Sequence, residues 1–511
     1  MRRIGIDVGG TNTDAVLIEN DAVVRAVKVA TTEDVTGGII GALHRLAVEP
    51  GLPIDGVMIG TTHFINAVLE RRGLAKVAAL RIGLPAGATL PPFCDWPAEL
   101  AALVPGGVWM VEGGHDYDGR PFMPLDVAGV RAAARAMRAA GLNAVAISAM
   151  FSPLDDRHER EAAAIVAQEH PGAAITRSAE LGRIGLLERE NAALLNAALG
   201  ELAGVTVAAF EQAIRDARIE APLYITQNDG TIAQAALAAR LPVFGFASGA
   251  TNSMRGAAFL SGLSDALVVD VGGTSMDVGE LRHGFPREAN ATVEVGGVRT
   301  LFRMPDLESV ALGGGSLVAL DPLAIGPRSV GHRLTTQAVA FGGDSLTMTD
   351  VAVAAGRVAL GEPSRLASLA PGAARAVLDR ARGIIEDAID RMKLTAGEVT
   401  LVAVGGGAFL VPDRLAGVSA VVRVPFGDCA NAVGAAIAQV SGESDRIYRD
   451  VTRADAIAEA RKAAEASAVA AGAAREGLKT VEVEDTPIAY LPGNALRVRA
   501  RVVGDMAPRS G

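Results

Sequence analysis

Four aspartates in two matched stretches are the residues whose type and spacing point most directly to chemistry. Residues 4–14 read Ile-Gly-Ile-Asp7-Val-Gly9-Gly10-Thr11-Asn12-Thr13-Asp14, and residues 266–277 read Ala-Leu-Val-Val-Asp270-Val-Gly272-Gly273-Thr274-Ser275-Met-Asp277. Each copy has an apolar strand, an Asp at its end, Val-Gly-Gly-Thr, and a further Asp seven residues after the first. The small residues force a tight turn and leave backbone N–H groups to face an anion. Two such hairpins facing each other grip a polyphosphate from both sides, with the hydroxyls of Thr11, Thr13, Thr274 and Ser275 and the turn amides, Gly9 to Asn12 and Gly272 to Ser275, as donors. Asp7 and Asp270 are then placed to hold a hydrated magnesium ion, which takes a few carboxylates together with waters and phosphate oxygens. A single copy reads equally well as a plain strand corner. The same Asp and Thr at both turns have no obvious steric reason.

The pair resembles the phosphate loops of the actin, sugar-kinase and heat-shock-chaperone ATPase superfamily, in which two related domains close over a nucleotide. A third signature of that superfamily is a Gly-rich turn that holds the adenosine. Leu401-Val-Ala-Val-Gly405-Gly406-Gly407-Ala-Phe409 fits it, as an apolar strand running into three glycines and then an apparent helix. The resemblance implies ATP and magnesium as cofactors. Asp14 and Asp277 are each read either as orienting a nucleophile or water, or as bracing their own hairpin.

Elements that position these residues follow from the pattern. Ala15 to Ile18 and Ala22 to Val29 continue the first hairpin around Asn20-Asp21 as the antiparallel start of a mixed sheet. Thr32 to Thr36 supplies capping residues for a helix whose apolar positions Ile39, Ile40, Leu43 and Leu46 share one face. The next strand, Gly56 to Ile59, runs into Gly60-Thr61-Thr62-His63-Phe-Ile-Asn66-Ala-Val-Leu-Glu70, setting two hydroxyls at a helix start where a phosphate or a substrate carbonyl would sit. Gly-Thr-Thr followed by Asn-Ala-Val-Leu-Glu resembles the hydantoinase A and 5-oxoprolinase family. His63 departs from the apolar residue of the best-known members, which marks it as a candidate substrate contact, with helix packing as the bland alternative. Gln227-Asn228-Asp229-Gly230 after a short strand forms a candidate active-site lip, in residues that are also standard turn material. Ser248-Gly249 resembles a further family element, with Ala250 where the family usually has proline; Gly313-Gly-Gly-Ser316 and Gly326-Pro-Arg-Ser resemble others, and beyond residue 330 the match weakens.

The reading is therefore an α/β protein of two actin-like ATPase (ribonuclease H-like) domains, with mixed sheets flanking a nucleotide cleft, plus a small C-terminal α+β appendix. Expected boundaries are 1–177, 178–441 and 442–511. Helices at about 184–199 and 200–217 are expected to form the link between the halves. In the last strand, Leu496, Val498, Ala500 and Val502 alternate with Arg497, Arg499 and Arg501, which reads as a half-buried strand with a solvated basic face.

At 511 residues the chain exceeds one ordinary domain, and its 59 glycines and 4% aromatic content suit close backbone packing. A formal charge of −10 argues against nonspecific nucleic-acid binding and a basic membrane patch. Two cysteines, Cys94 and Cys429, provide neither a disulfide framework nor a thiolate metal cluster. No run is read as reaching the roughly 18 uncharged apolar residues of a spanning helix. A reduced, cytoplasmic setting is expected. By resemblance, the chain couples ATP cleavage to opening a small cyclic amide such as a hydantoin, an oxoproline or another lactam, as an oligomer and with a hydantoinase B type subunit as partner. Rival readings are a small-molecule kinase and a chaperone-like reactivating ATPase of the same superfamily.

Overall fold

The structure is a computed structural model that describes residues 1–9, 12–30, 35–46, 52–182, 184–289, 292–301, 303–489 and 493–507. Gly10, Thr11 and the capping run at 32–34 lie outside the described residues.

The first hairpin forms as the sequence pattern demands. Strands Arg2–Val8 and Asn12–Glu19 pair antiparallel with Asp7 opposite Asp14, and Ala22–Ala30 adds a third strand. Asn20 and Asp21 both take positive φ (47° and 62°), the turn geometry whose twist matches the flanking strands. On the other side, Gly56–Thr61 joins in parallel with Gly60 beside Asp7, and Leu223–Thr226 follows in parallel. The strand order is thus third, second, first, fourth, fifth.

The second sheet repeats that order. Ala266–Val271 pairs antiparallel with Met276–Arg282, again with Asp270 opposite Asp277. A third strand, Leu307–Val310, lies on the outer side of the second, while Val399–Val404 and then Val418–Arg423 join in parallel on the other side. The two halves of the chain therefore build the same scaffold from hairpins of the same sequence.

Residues 77–177 contribute a separate four-stranded parallel sheet, in the order Pro105–Glu112, Val77–Leu84, Ala144–Ala149, Ala174–Arg177. One helix, Leu186–Asp216, ties this sheet to the first. Its early residues Ala192 to Leu199 share a core with Val77, Ala79 and Ala146, and its later residues Val207, Phe210 and Ile214 share one with Ile4, Ile6 and Ile59. The two separate helices expected here are one, because nothing crowds Gly200 and the helix continues through it. This 31-residue helix is long and apolar enough by composition to pass for a membrane span, although Glu201 interrupts its apolar run, so the expectation of no uncharged run of that length stands. Its most apolar window is 61% buried inside the protein, and it buries Arg189, Glu190 and Asn191, as a core helix does.

The C-terminal segment extends the first sheet. Gln439–Tyr448 pairs in parallel with Thr231–Gln234, and Leu496–Gly504 inserts between it and Lys479–Pro487. The expected solvated basic face is absent. Arg499 and Arg501 are only 4% and 6% exposed. Arg499 pairs with Glu443 and Glu288, and Arg501 with Asp229 and Glu482. The facing carboxylates, distant in sequence, make the arginine side of this strand an interior one.

Candidate nucleotide site

The two hairpins meet across one crevice. Both turns close with the same bond: the Gly9 N–H donates to the Asn12 carbonyl at 3.1 Å, and the Gly272 N–H to the Ser275 carbonyl at 2.9 Å. The strand period of two puts Asn12 with Asp14 and Ser275 with Asp277 on one face. Thr13 falls on the opposite face, fully buried, so its hydroxyl does not share the face of Asp14. Thr274 is exposed at the tip of its turn. The carbonyls of Gly272 and Gly273 accept from the N–H groups of Gly314 and Gly315 at 3.0 and 2.7 Å, so the 313–315 run holds the second loop from behind.

The third Gly-rich turn converges on the same place. Gly405 takes φ +87°, and a Cβ there would stand 2.1 Å from Asp270 Oδ1 and 2.4 Å from the Val271 carbonyl. The Gly407 N–H donates to Val271 at 2.7 Å, and the Gly405 N–H to Gly427 at 2.9 Å. The expected helix after Gly407 is a single 3₁₀ turn, Ala408–Leu410, since Val411 is already extended. Beside this turn a cavity of about 680 Å³ opens between Phe409, Phe426, Arg357, Arg423 and Asp413. Gly406 has open space around it.

Four carboxylates crowd the crevice, and all four are pushed above the ordinary value. Burial raises Asp7 to about 7, helped by the charges of Asp14 and Asp270 and opposed by Asn431, whose Nδ2 donates to Oδ2 at 3.3 Å. Asp270 is raised to about 6 by burial, with Asp277 and Asp14 adding to it. The Ser253 hydroxyl opposes that rise, close enough to stabilise the carboxylate though outside hydrogen-bond geometry. Burial also raises Asp14, against the ion pair from Lys28, and Asp277, against the Ser309 hydroxyl. Asp270 and Asp277 nonetheless keep part of their surface open to the cleft. Asp270 acts on Asp7, and Asp14 on Asp270, so the two hairpins stand within electrostatic reach of each other.

Asp7 Oδ1 and Asp14 Oδ1 are buried without a hydrogen-bond partner. An unpaired carboxylate oxygen among like charges is what a hard divalent cation satisfies, so Asp7, with the charge of Asp270 in reach, fits a hydrated magnesium ion.

The substrate candidates divide. Gly60 lies beside Asp7, so the residues that follow it extend from the crevice wall. Thr61 is buried, with its Oγ1 accepting the His63 N–H at 3.1 Å, while Thr62 and His63 remain half-exposed. Burial lowers the His63 imidazole below its ordinary value, which keeps the ring neutral near pH 7. Asn228 is a fastener: its Nδ2 donates to Val243, its Oδ1 accepts from Ala247, and its carbonyl accepts from Thr251. Asp229 accepts from Thr231 and pairs with Arg501. Burial would raise its carboxyl, but Arg501 and Thr231 outweigh that and hold it below the ordinary range. Asn228 and Asp229 thus belong to a polar network that, with Gln227, Phe244 and Arg303, lines a cavity of about 400 Å³ containing none of the four aspartates. A cavity of about 600 Å³ beside Asp118, Leu154 and Arg449 also contains none of the four.

Lys28, Asn431, Ser253 and Ser309, given no role from sequence, complete the site together with the 313–315 glycines, which the sequence marked only as a family element.

Residues 3–170 match the family described as hydantoinase/oxoprolinase N-terminal region, and residues 189–364 the family described as hydantoinase/oxoprolinase. Caprolactamase subunit alpha of Pseudomonas jessenii is 28% identical over 393 residues, covering 70% of this chain and 55% of that protein. Acetophenone carboxylase gamma subunit of Aromatoleum aromaticum is 26% identical over 404 residues, covering 70% and 53%. The chain thus spans about half the length of these curated relatives. Among solved structures, an ATP-dependent caprolactamase from Pseudomonas jessenii superposes with a TM-score of 0.76 at 21% identity, over 99% of this chain and 88% of that one. A nucleotide-free acetone carboxylase gives 0.70 at 18%, with the same coverage. These likenesses agree with the doubled strand order in giving the actin-like ATPase fold. The two family matches together take in well over half of the chain, and it belongs to the hydantoinase/oxoprolinase family.

Proposed function

We propose that this chain is the ATP-binding subunit of an enzyme that activates a cyclic amide by phosphorylation for ring opening. The observation that carries the reading is the meeting of Asp7 and Asp270, from repeated hairpins, in one crevice against Gly405. Bound magnesium–ATP supplies an electrophilic terminal phosphoryl group. Asp7 and Asp270 hold the cation, and the turn amides of both hairpins hold the phosphates. The 405–407 turn and its cavity between Phe409 and Phe426 take the nucleoside. Asp14, with one unpaired oxygen, orients the attacking group. Thr62 and His63 line the substrate side.

An amide carbonyl is a poor electrophile. Phosphorylating its oxygen makes the carbon open to water; cleavage of the C–N bond and release of phosphate then consume one ATP and two waters per ring. The relatives at 28% and 26% identity are named as subunits of a caprolactamase and of a carboxylase. That favours a hydantoinase B type partner, and it supports a second reading in which the phosphorylated oxygen belongs to an enolisable ketone.

The test is phosphate release from magnesium–ATP by this chain, alone and with the product of a co-expressed hydantoinase B type gene. Candidate acceptors are hydantoin, 5-oxoproline, caprolactam and acetophenone. Lactam-stimulated release with a ring-opened acid supports the proposal. A stable phosphorylated product would identify a kinase instead, and no nucleotide binding under any condition would overturn the reading.

A further inference from the structure

The two hairpins are not equivalent at their third strand. Across the first sheet, register places Asp7 opposite Asp14 and Asp14 opposite Lys28. Across the second it places Asp270 opposite Asp277 and Asp277 opposite Ser309. An ammonium and a hydroxyl therefore occupy the same position of the repeated scaffold. The Lys28 Nζ pairs with Asp14 and also donates to the Asp428 carbonyl at 3.2 Å, on the loop that leads from the second sheet into the helix carrying Asn431. It thus stands at the seam between the two halves, with its side chain 33% exposed. Only five lysines, at 28, 76, 393, 462 and 479, occur in the chain, and arginine supplies the rest of its 48 basic residues. A compact ammonium suits a crowded phosphate beside a metal better than the broad guanidinium fork does.

We infer that Lys28 is the cation that contacts the terminal phosphate of the bound nucleotide, and that the exchange of Lys28 with Ser309 between the two hairpins sets the nucleotide's direction. The adenosine end lies with Gly405 against the Asp270 hairpin, and the transferring end lies with Lys28 against the Asp7 hairpin. Four carboxylates, Asp7, Asp14, Asp270 and Asp428, stand within electrostatic reach of this ammonium. When the terminal phosphate enters, one donor of Lys28 turns to it and Asp14 is released from part of its ion pair. The charge that gathers on the phosphoryl oxygens is then met by a fixed cation. Lys28 and Asp14 thereby act as a couple, one on the phosphate and one on the incoming group.

The inference rests on the nucleotide reading, and one calorimetric series separates the two. Wild type is titrated with magnesium–ADP, then with magnesium–ADP plus beryllium fluoride, which adds a terminal-phosphate mimic. The expected result is tighter binding with the mimic. Lys28→Met should leave the ADP affinity within about threefold and remove on the order of tenfold to a hundredfold of the mimic's gain, the range for one charge-assisted bond. Lys28→Arg should recover only part of it. Because Lys28→Met leaves Asp14 unpaired, Lys28→Met/Asp14→Asn serves where the single variant fails to fold, and should show the same loss. A full mimic gain in either folded variant overturns the role of Lys28 while leaving the nucleotide site standing. Binding of neither ligand by wild type overturns both.

Discussion

Gly434 lies directly against the carbonyl of Asn252: a Cβ on Gly434 would stand 1.8 Å from that oxygen. The helices that carry them, Ala430–Ile437 and Ser248–Ser261, are backbone to backbone here, and again where Gly256 meets the Ala430 carbonyl at a would-be 2.0 Å. Asn252 Nδ2 in turn donates to Thr226 at 2.9 Å, and Asn431 reaches Asp7, so this crossing sets the frame of the crevice. Gly434→Ala should cost about 3 kcal/mol by overpacking. Urea unfolding with an unchanged m-value and a lower midpoint would show it; an unshifted midpoint would mean the helices can part.

Asp7 and Asp270 give a pH signature. Each has a folded value, about 7 and about 6, above the 3.8 of an unfolded chain. The folded state therefore binds more protons between these limits, and stability falls as pH rises through the window. Metal-free protein should be most stable near pH 4 to 5 and lose melting temperature toward pH 7. Magnesium should flatten the slope, and Asp7→Asn should flatten it without metal. A melting temperature that instead climbs from pH 5 to 7 in EDTA would show that these carboxylates are not strained by their surroundings.

Gly405→Ala should abolish nucleotide binding, because the new methyl meets Asp270 and the backbone of Val271 at a positive φ. Gly406→Ala, with open space around it, should keep magnesium–ADP affinity within about threefold, less than one ordinary hydrogen bond. Equal affinities for the two variants would remove the 405–407 turn from the site.

His63 tests the substrate wall. His63→Gln should leave the melting temperature within a few degrees, since the ring is half-buried and neutral. It should raise KM for the acceptor roughly tenfold while leaving KM for ATP unchanged, as loss of one polar contact does. A large drop in melting temperature with an unchanged acceptor KM would make His63 a packing residue.

Arg501 and Arg453 should differ sharply. The side chains of Arg501 and Asp229 are 7% and 13% exposed, so Arg501→Ala strands a buried carboxylate and should cost about 3 kcal/mol or more. The Arg453–Asp485 pair, with an arginine 70% exposed, should be worth under about 1 kcal/mol. Chemical denaturation of both variants gives the comparison.

Much of the scaffold was legible because local chemistry dictated it. The two Asp-Val-Gly-Gly-Thr turns announce themselves, and the Asn20-Asp21 turn fixes the second hairpin. Lys28 was illegible for a specific reason. Counting back from that turn, with Glu19 opposite Ala22 and Ile18 opposite Val23, puts Val27 opposite Asp14. An irregularity between Leu17 and Ile18 shifts the register by one and brings Lys28 there instead. Ser309 reaches Asp277 only after a long excursion through residues 283–306, which no local pattern predicts. The buried arginines of the last strand look solvated until the carboxylates from residues 229, 288, 443 and 482 are brought opposite them. The Asn228 turn was legible as a turn, but its partners lie on a helix start that sequence alone does not bring near.

Arg303 makes one more link between the halves. It lies on the excursion between strands of the second sheet, yet its guanidinium reaches Glu288 at 2.9 Å, and Glu443 and Glu482 of the first sheet's extension at 2.8 and 3.3 Å. Parting the two halves would take Arg303 off Glu443 and Glu482 together, so a fastening made of charge alone ties them at a place remote from the phosphates.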